Sequence, residues 1–280
     1  MEYHMAKGPR RERAKDTLRN LNVRPTKERG QNFLIRPEIP QAIADFGNVP
    51  EDAQVVEIGP GTGALTEYLA KFKNLTLIEI EPSFCEHLAT KFPHAKIINA
   101  DVRTVDLSTI GNDLYVYGNI PYVFSSEIVF HLIKCRAQVK QAVMMVQKEF
   151  AERIGARTST RAYGSISVSA QLFSDVELGI IVPGDAFHPP TEVQSRVMKL
   201  TFRQAPRADV PDYEFFQVVV RAAFSQRRKK LLNSLMSQGR WSKERILEAL
   251  AASGISPDVR AETLSVEEFA TLTKAFAQGA

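Results

Sequence analysis

Gln54-Val55-Val56-Glu57-Ile58-Gly59-Pro60-Gly61-Thr62-Gly63 is an apolar run that ends in a cluster of glycines. The run predicts a buried strand, and the spacing of apolar residues over 62–72 predicts a helix after it. Glycines in a strand-to-helix turn let the backbone bend sharply and approach a ligand with no Cβ in the way. The helix start beyond them offers amide donors. Twenty positions after Gly59, the apolar run 75–80 brings Glu79 to a strand end, where a carboxylate can accept both hydroxyls of a ribose. Loop and acid together predict an adenosine-bearing cofactor at the carboxyl edge of a sheet. Gly59, Gly61 and Ala64 also satisfy the dinucleotide fingerprint, so the loop alone admits an oxidoreductase, or a structural turn with nothing bound.

Outward from this stretch the chain alternates strands and helices. Residues 37–46 read as a helix with Pro37 in its first turn, and 82–92 as another. Further strands are expected over 95–99, ending at Asp101, and over 114–117, 142–146, 176–182 and 197–202. Helices are expected over 126–134, 148–155 and 166–173. The last two strands adjoin with only a Pro-rich loop between them, which predicts an α/β fold: a mostly parallel, seven-stranded sheet with a late antiparallel strand. The polar stretch 203–211 carries two prolines and reads as a boundary. Helices follow over 213–236, 242–253 and 265–276, with Ser265 and Glu268 at capping-box spacing. The expected organisation is a basic arm over 1–29, an α/β domain over 30–204 and a small helical domain over 205–280.

Composition narrows the class. Of 280 residues, 44% are apolar, enough for a globular core. No run approaches the roughly 18 apolar residues of a spanning helix, so no membrane partner is expected. Two cysteines, Cys85 and Cys135, cannot build a disulfide framework or a four-ligand zinc site, and His87, His94 and His131 show no metal spacing. The expectation is a cytoplasmic protein without a metal. Net charge is +4, but residues 1–29 hold nine bases and four acids, leaving the remainder at −1. A basic arm ahead of a near-neutral body suits a polyanion such as nucleic acid; a solvated tail without a partner is the plain alternative.

Asn119-Ile120-Pro121-Tyr122 decides between the cofactors. An exocyclic amine is a poor methyl acceptor because its lone pair is delocalised into the base. An amide oxygen and a neighbouring backbone carbonyl can accept both of its N–H protons, localising the lone pair and aiming it at an electrophilic methyl. Pro121 stiffens the turn. Tyr122 offers a flat face for an extruded base. Such catalysis is mainly positioning and electrostatic complementarity, with no strong base required.

The chain resembles the rRNA adenine N6,N6-dimethyltransferase family, in particular its bacterial small-subunit (KsgA) type. The resemblance runs from about residue 30 to 276. It rests on Gly30-Gln31-Asn32-Phe33-Leu34, Glu57-Ile58-Gly59-Pro60-Gly61, Gly118-Asn119-Ile120-Pro121-Tyr122 and Gln147-Lys148-Glu149. Tyr163-Gly164, Phe187-His188-Pro189-Pro190, Ala223-Phe224-Ser225-Gln226-Arg227-Arg228-Lys229 and Arg260-Ala261-Glu262-Thr263-Leu264-Ser265 continue it in the family's order. The resemblance implies a Rossmann-like class I methyltransferase core and S-adenosylmethionine as donor. It also implies two adjacent adenines near the 3′ end of 16S rRNA as substrate, each dimethylated at N6 on the immature small ribosomal subunit. By position, Asn32 and Leu34 would flank the cofactor. Glu57, Gly59 and Gly61 would form its loop, Glu79 would hold the ribose, Asp101 the adenine amine, and Asn119 would sit at the methyl. Phe187 would complete a base sandwich with Tyr122. Val123-Phe124-Ser125 stands where the family continues with Asn-Ile-Ser, and Glu192-Val193-Gln194-Ser195 where it has Lys-Val-Asp-Ser.

Arg227, Arg228, Lys229 and Lys230, on the helix expected over 213–236, suit phosphate contacts, against the alternative of a solvated face. Trp241 is expected to anchor a helix start, and the cysteines to be inert packing. The chain is expected to act as a monomer. The rival readings are a 23S rRNA enzyme of the macrolide-resistance type and a nonenzymatic RNA-binding assembly factor on the same fold.

Overall fold

The structure of the chain, a computed structural model, describes residues 16–21 and 32–278. Strand β1 (Phe33–Leu34) leads to helix α1 (Glu38–Phe46), with Pro37 at the N-cap position. Then come β2 (Gln54–Ile58), α2 (Thr66–Leu69), β3 (Asn74–Glu79), α3 (Pro82–Lys91) and β4 (Lys96–Asn99). β5 (Leu114–Asn119), α4 (Ser125–Lys134), β6 (Val139–Gln147) and α5 (Lys148–Ile154) close the alternating stretch. After α6 (Ser165–Phe173) follow β7 (Ser174–Val182), β8 (Phe187–His188) and β9 (Ser195–Phe202). The remainder is helical: α7 (Tyr213–Ala223), α8 (Leu231–Met236), α9 (Lys243–Ala252) and α10 (Val266–Ala277).

Seven strands form one sheet in the order β4-β3-β2-β5-β6-β9-β7. The pairs from β4 to β6 are parallel, and β9 runs antiparallel to β6. Parallel strands are covered on both faces, so they read as continuous apolar runs rather than alternations; Val55, Val56 and Ile58 of β2 and Ala142 to Val146 of β6 are all buried. The chain builds outward from β2 to β3 and β4, then returns to the other side of β2 with β5. The order therefore reverses between β2 and β5, where an α/β sheet opens a crevice beyond its carboxyl ends. Ile58 and Gly118 are register partners, so the loops after these two strands emerge side by side. A Cβ on Gly118 would lie 3.0 Å from the Ile58 carbonyl oxygen, closer than the two strands allow.

Four features differ from the sequence expectations. The helix expected over 62–72 is only one turn, α2, because Gly59, Gly61 and Gly63 all hold positive φ and the chain turns until residue 65. A two-residue ribbon, β1 with β8, was not expected; it pairs Phe33 with His188 and Leu34 with Phe187. The helix expected over 213–236 is broken between Ala223 and Leu231. There the Ser225 hydroxyl donates to the Ala222 carbonyl at 2.7 Å, and the Ser234 hydroxyl reaches the Gln226 carbonyl at 3.1 Å, which holds the connecting turn. Within the expected arm, residues 16–20 are helical and Leu18 is buried in a cluster that also contains Phe33, Leu34 and Ile39. The rest of the arm, with Gly30 and Gln31, lies outside the described residues.

The chain divides into two compact units, one running to Ala151 and taking in Glu177–Phe202, the other comprising Glu152–Val176 and Arg203–Ala280. The third cut, after Phe202, falls beside the expected boundary at 204. Glu152–Val176, however, group with the helical unit rather than with the expected 30–204 domain, since the chain leaves the sheet after β6 and re-enters it through β7. In the helical unit Trp241 stacks on Phe276 at 4.4 Å, and Ser242 caps α9 by accepting from the Arg245 amide at 3.2 Å. Ser265 and Glu268 form a reciprocal capping box, with bonds of 3.1 and 2.7 Å.

Candidate active site

The crevice at the β2/β5 reversal is a cleft of about 470 Å³. Asn32, just before β1, and Leu34 within it line the cleft, with Glu57 from β2, Gly59 and Gly61 from the loop after it, Glu79 from the end of β3 and Asp101 just beyond β4. Asn119 at the end of β5, with Ile120, Pro121 and Tyr122 directly after it, completes the wall. Eleven of the twelve expected catalytic and cofactor residues therefore meet in one place.

The glycine loop leaves room for a ligand. Gly59 has φ of +62°, and a Cβ there would meet no protein atom within 4 Å. Beside it, one carboxylate oxygen of Glu79 accepts from the Gly61 amide and the other from the Glu81 amide, each at 3.0 Å. Burial pushes the Glu79 carboxyl upward, and these amides pull it back. Glu57 is deeper: its carboxyl Oε2 accepts from the Thr66 hydroxyl at 2.7 Å. Burial, reinforced by the nearby Glu79 charge, pushes its pKa up to about 8, so Glu57 is largely protonated near neutrality.

The turn after β5 is held at several points. Ile120 is buried and its amide donates to the Met145 carbonyl at 3.0 Å. The Asn119 side-chain amine donates to the Asn32 carbonyl at 3.0 Å, which turns the amide oxygen to its opposite side as an acceptor. The Pro121 carbonyl already accepts from the Phe124 amide at 3.0 Å and the Ser125 hydroxyl at 3.4 Å. The Tyr122 hydroxyl and Ser195 Oγ share a hydrogen bond of 2.7 Å, fixing the ring face.

Three placements depart from expectation. Phe187 is not in the cleft lining: its side chain is buried in the core cluster with Leu34, because the β1–β8 pairing turns this apolar ring inward. The Asp101 carboxylate is engaged by Arg103, whose Nε lies 3.0 Å from both oxygens, and this guanidinium holds the Asp101 carboxyl below its usual range. The basic segment lies in the turn between α7 and α8 instead of on a helix. Within it, Arg227 donates to the carbonyls of Arg161 at 2.7 Å and Tyr163 at 2.6 Å, and Lys230 pairs with Asp258 at 2.7 Å. Arg228 and Lys229 are exposed.

Ile80, Val102, Arg103 and Phe124 line the cleft and were missed in the sequence. Ile80 is 59% exposed directly after Glu79, an apolar residue at a strand end that could have been noticed. Both thiols are pushed upward by burial, which disfavours thiolate reactivity. Among the described residues no group of three or more His, Cys, Asp or Glu is placed to hold a metal ion, and no helix is long and apolar enough to cross a membrane.

Comparison with known proteins adds an independent line. The family described as ribosomal RNA adenine dimethylase matches residues 23–278. Proteins named ribosomal RNA small subunit methyltransferase A are similar along nearly their whole length. That of Anoxybacillus flavithermus is 40% identical over 276 residues, covering 94% of each chain. That of Macrococcus caseolyticus is 36% identical over 287 residues, covering 98% of this chain and 96% of its own. Among solved structures, the 23S rRNA methyltransferase ErmE aligns with a TM-score of 0.67 at 26% identity, over 88% of this chain and all of its own. A dimethyladenosine transferase from Plasmodium falciparum shares the fold with a TM-score of 0.74 at 24% identity, over 88% of this chain and 98% of its own. A match that spans both the sheet and the helices, at this identity, makes the chain a member of the ribosomal RNA adenine dimethylase family.

Proposed function

We propose that the protein transfers methyl groups from S-adenosylmethionine to N6 of two adjacent adenines near the 3′ end of 16S rRNA, dimethylating each during small-subunit biogenesis. It acts as a monomer in the cytoplasm. The observation that carries this reading is the Asn119 amide: its amine is tied to the Asn32 carbonyl, so an oriented acceptor remains beside the cleft.

The residues present fit the donor. Gly59 leaves space where a side chain would intrude, Glu79 is fixed to receive a ribose, and Ile80 and Val102 offer apolar surface for an adenine. When bound, S-adenosylmethionine supplies a methyl on a positive sulfonium, an electrophile that needs no metal. Asn119 Oδ1 accepts one N6 proton of the target adenine. The Ile120 or Pro121 carbonyl accepts the second proton; that the Pro121 carbonyl already accepts from the Phe124 amide and the Ser125 hydroxyl favours Ile120. Both acceptors are set before substrate arrives, so little reorganisation is needed at the moment of transfer. Tyr122, steadied through Ser195, stacks on the flipped base. Phe187 acts from behind, holding β1 and with it Asn32.

Arg228 and Lys229 contact RNA phosphates, whereas Arg227 and Lys230 shape the turn that presents them. The helical unit is the RNA-facing part, and the basic arm adds non-specific attraction. Relatives named for the small subunit, at 36–40% identity, support 16S over 23S RNA. Primer extension across 16S and 23S RNA from cells with and without the protein tests the assignment. Two adjacent stops near the 3′ end of 16S RNA, present only with the protein, are expected. A stop in 23S RNA, or one methyl per adenine, would refute it.

A further inference from the structure

Arg103 is absent from every role assigned so far, yet it makes the densest set of polar contacts in the cleft. Its own backbone amide donates to Asp101 Oδ1 at 3.0 Å. Its Nε is 3.0 Å from both Asp101 oxygens, and its Nη2 is 2.5 Å from Oδ2. Its Nη1 bonds the Glu127 carboxylate, and its guanidinium carbon lies 4.4 Å from the centre of the Phe124 ring. These partners come from two walls of the cleft. Asp101 follows β4, while Phe124 and Glu127 belong to the start of α4, directly after the Asn119–Tyr122 turn. Phe124 is itself tied to that turn, donating its amide to the Pro121 carbonyl at 3.0 Å.

We propose that Arg103 is a positioning residue that locks the Asp101 carboxylate toward the cofactor adenine and ties it to the start of α4. The proposal rests on the reading of Asp101 as acceptor of the adenine amine. An ionised carboxylate offers about four lone-pair positions, and the Arg103 amide, Nε and Nη2 occupy most of them. A further donor therefore meets Asp101 in a single orientation. Without the guanidinium, Asp101 is free to rotate, and the carboxylates of Asp101 and Glu127 lose the cation they share. A planar fork is required, because only it can bond two carboxylates and stack on a ring at once; a lysine supplies the charge alone. The side chains are partly solvated, with Arg103 at 32% and Glu127 at 56% exposure, so the network contributes little to global stability. Its effect is on the geometry of the site.

The test uses the full chain with Arg103→Gln, Arg103→Lys, Asp101→Asn and the Asp101→Asn/Arg103→Gln pair. Binding of S-adenosylhomocysteine is measured by calorimetry without RNA. KM values for S-adenosylmethionine and for undermethylated small subunits are measured separately. Arg103→Gln is expected to weaken S-adenosylhomocysteine about tenfold and to raise the donor KM in parallel, with the RNA KM unchanged. Arg103→Lys recovers only part of the loss, and the double variant is no weaker than Asp101→Asn alone. Unchanged nucleoside affinity in Arg103→Gln, full recovery by lysine, or a rise confined to the RNA KM would each overturn the proposal while leaving the cofactor reading intact. Failure of the unaltered chain to bind S-adenosylhomocysteine would overturn both.

Discussion

Asn119→Ala separates catalysis from structure most sharply. The substitution removes the amide oxygen proposed to accept an N6 proton, and also the 3.0 Å bond to the Asn32 carbonyl. Loss of one oriented polar group at a site of developing charge typically costs about 10²- to 10³-fold in kcat, or roughly 3–4 kcal/mol of barrier. The lost hydrogen bond is a smaller matter, about 1 kcal/mol of stability. The two effects are read independently, by single-turnover methyl incorporation into undermethylated small subunits and by urea unfolding of the same preparation. S-adenosylhomocysteine affinity provides a third measurement, expected to move less than fivefold because Glu79, Asp101 and the glycine loop are untouched. The anticipated pattern is a chemical step at least a hundredfold slower, with a modest stability loss and retained nucleoside binding. A single-turnover rate within threefold of the unaltered protein would refute the role of the Asn119 oxygen, whatever happens to stability.

Glu57→Gln tests the buried acid. Its pKa is 4.5 when unfolded and about 8 when folded, so the native state holds a proton that the unfolded chain gives up. Stability linked to this group is complete below pH 4.5 and is lost as pH rises toward 8, by a few kcal/mol. Glutamine keeps an acceptor for Thr66 and should flatten that slope in urea titrations at pH 5.5 and 8; an unchanged slope would assign it to other groups. Tyr122→Phe loses only the bond to Ser195 and should retain methylation within about tenfold, while Tyr122→Ala removes the stacking face and costs about 1–3 kcal/mol in target recognition. Equal kinetics for the two would remove the stacking role. Paired alanine substitution of Arg228 and Lys229 should weaken RNA uniformly and lower the salt slope by about one to two, with melting unchanged. Arg227→Ala should lower the melting temperature instead, and the reverse pattern would exchange their roles.

What the sequence disclosed follows from contact range. Val55, Val56 and Ile58 make a strand wherever they are buried, and Gly59, Gly61 and Glu79 keep fixed distances along the chain, so the cofactor loop was legible. Asn119 to Tyr122 was legible because its chemistry is contained in four consecutive residues. The ribbon joining Phe33–Leu34 to Phe187–His188 was not, since two residues carry no period and their partners lie about 150 positions apart. That hidden pairing also explains why Phe187, chosen for its aromatic ring, belongs to the core. Arg103 escaped notice because its importance lies in Glu127 and Phe124, which only the fold brings to it. The 213–236 helix was overextended because apolar spacing continues through Phe224 and Leu231, while the break depends on hydroxyls of Ser225 and Ser234 reaching carbonyls.

The backbone passes between the two compact units after residues 151, 176 and 202, and this has a practical corollary for engineering. Severing the protein at position 204 would strand α6, with the apolar Leu172 and Phe173, away from the helices that belong with it. Retargeting by chimera, in which a relative's helical half replaces the native one, needs splices at all three passages. Grafts that respect only the last would give insoluble chains, whereas three-point transplants should express and melt as one cooperative fold.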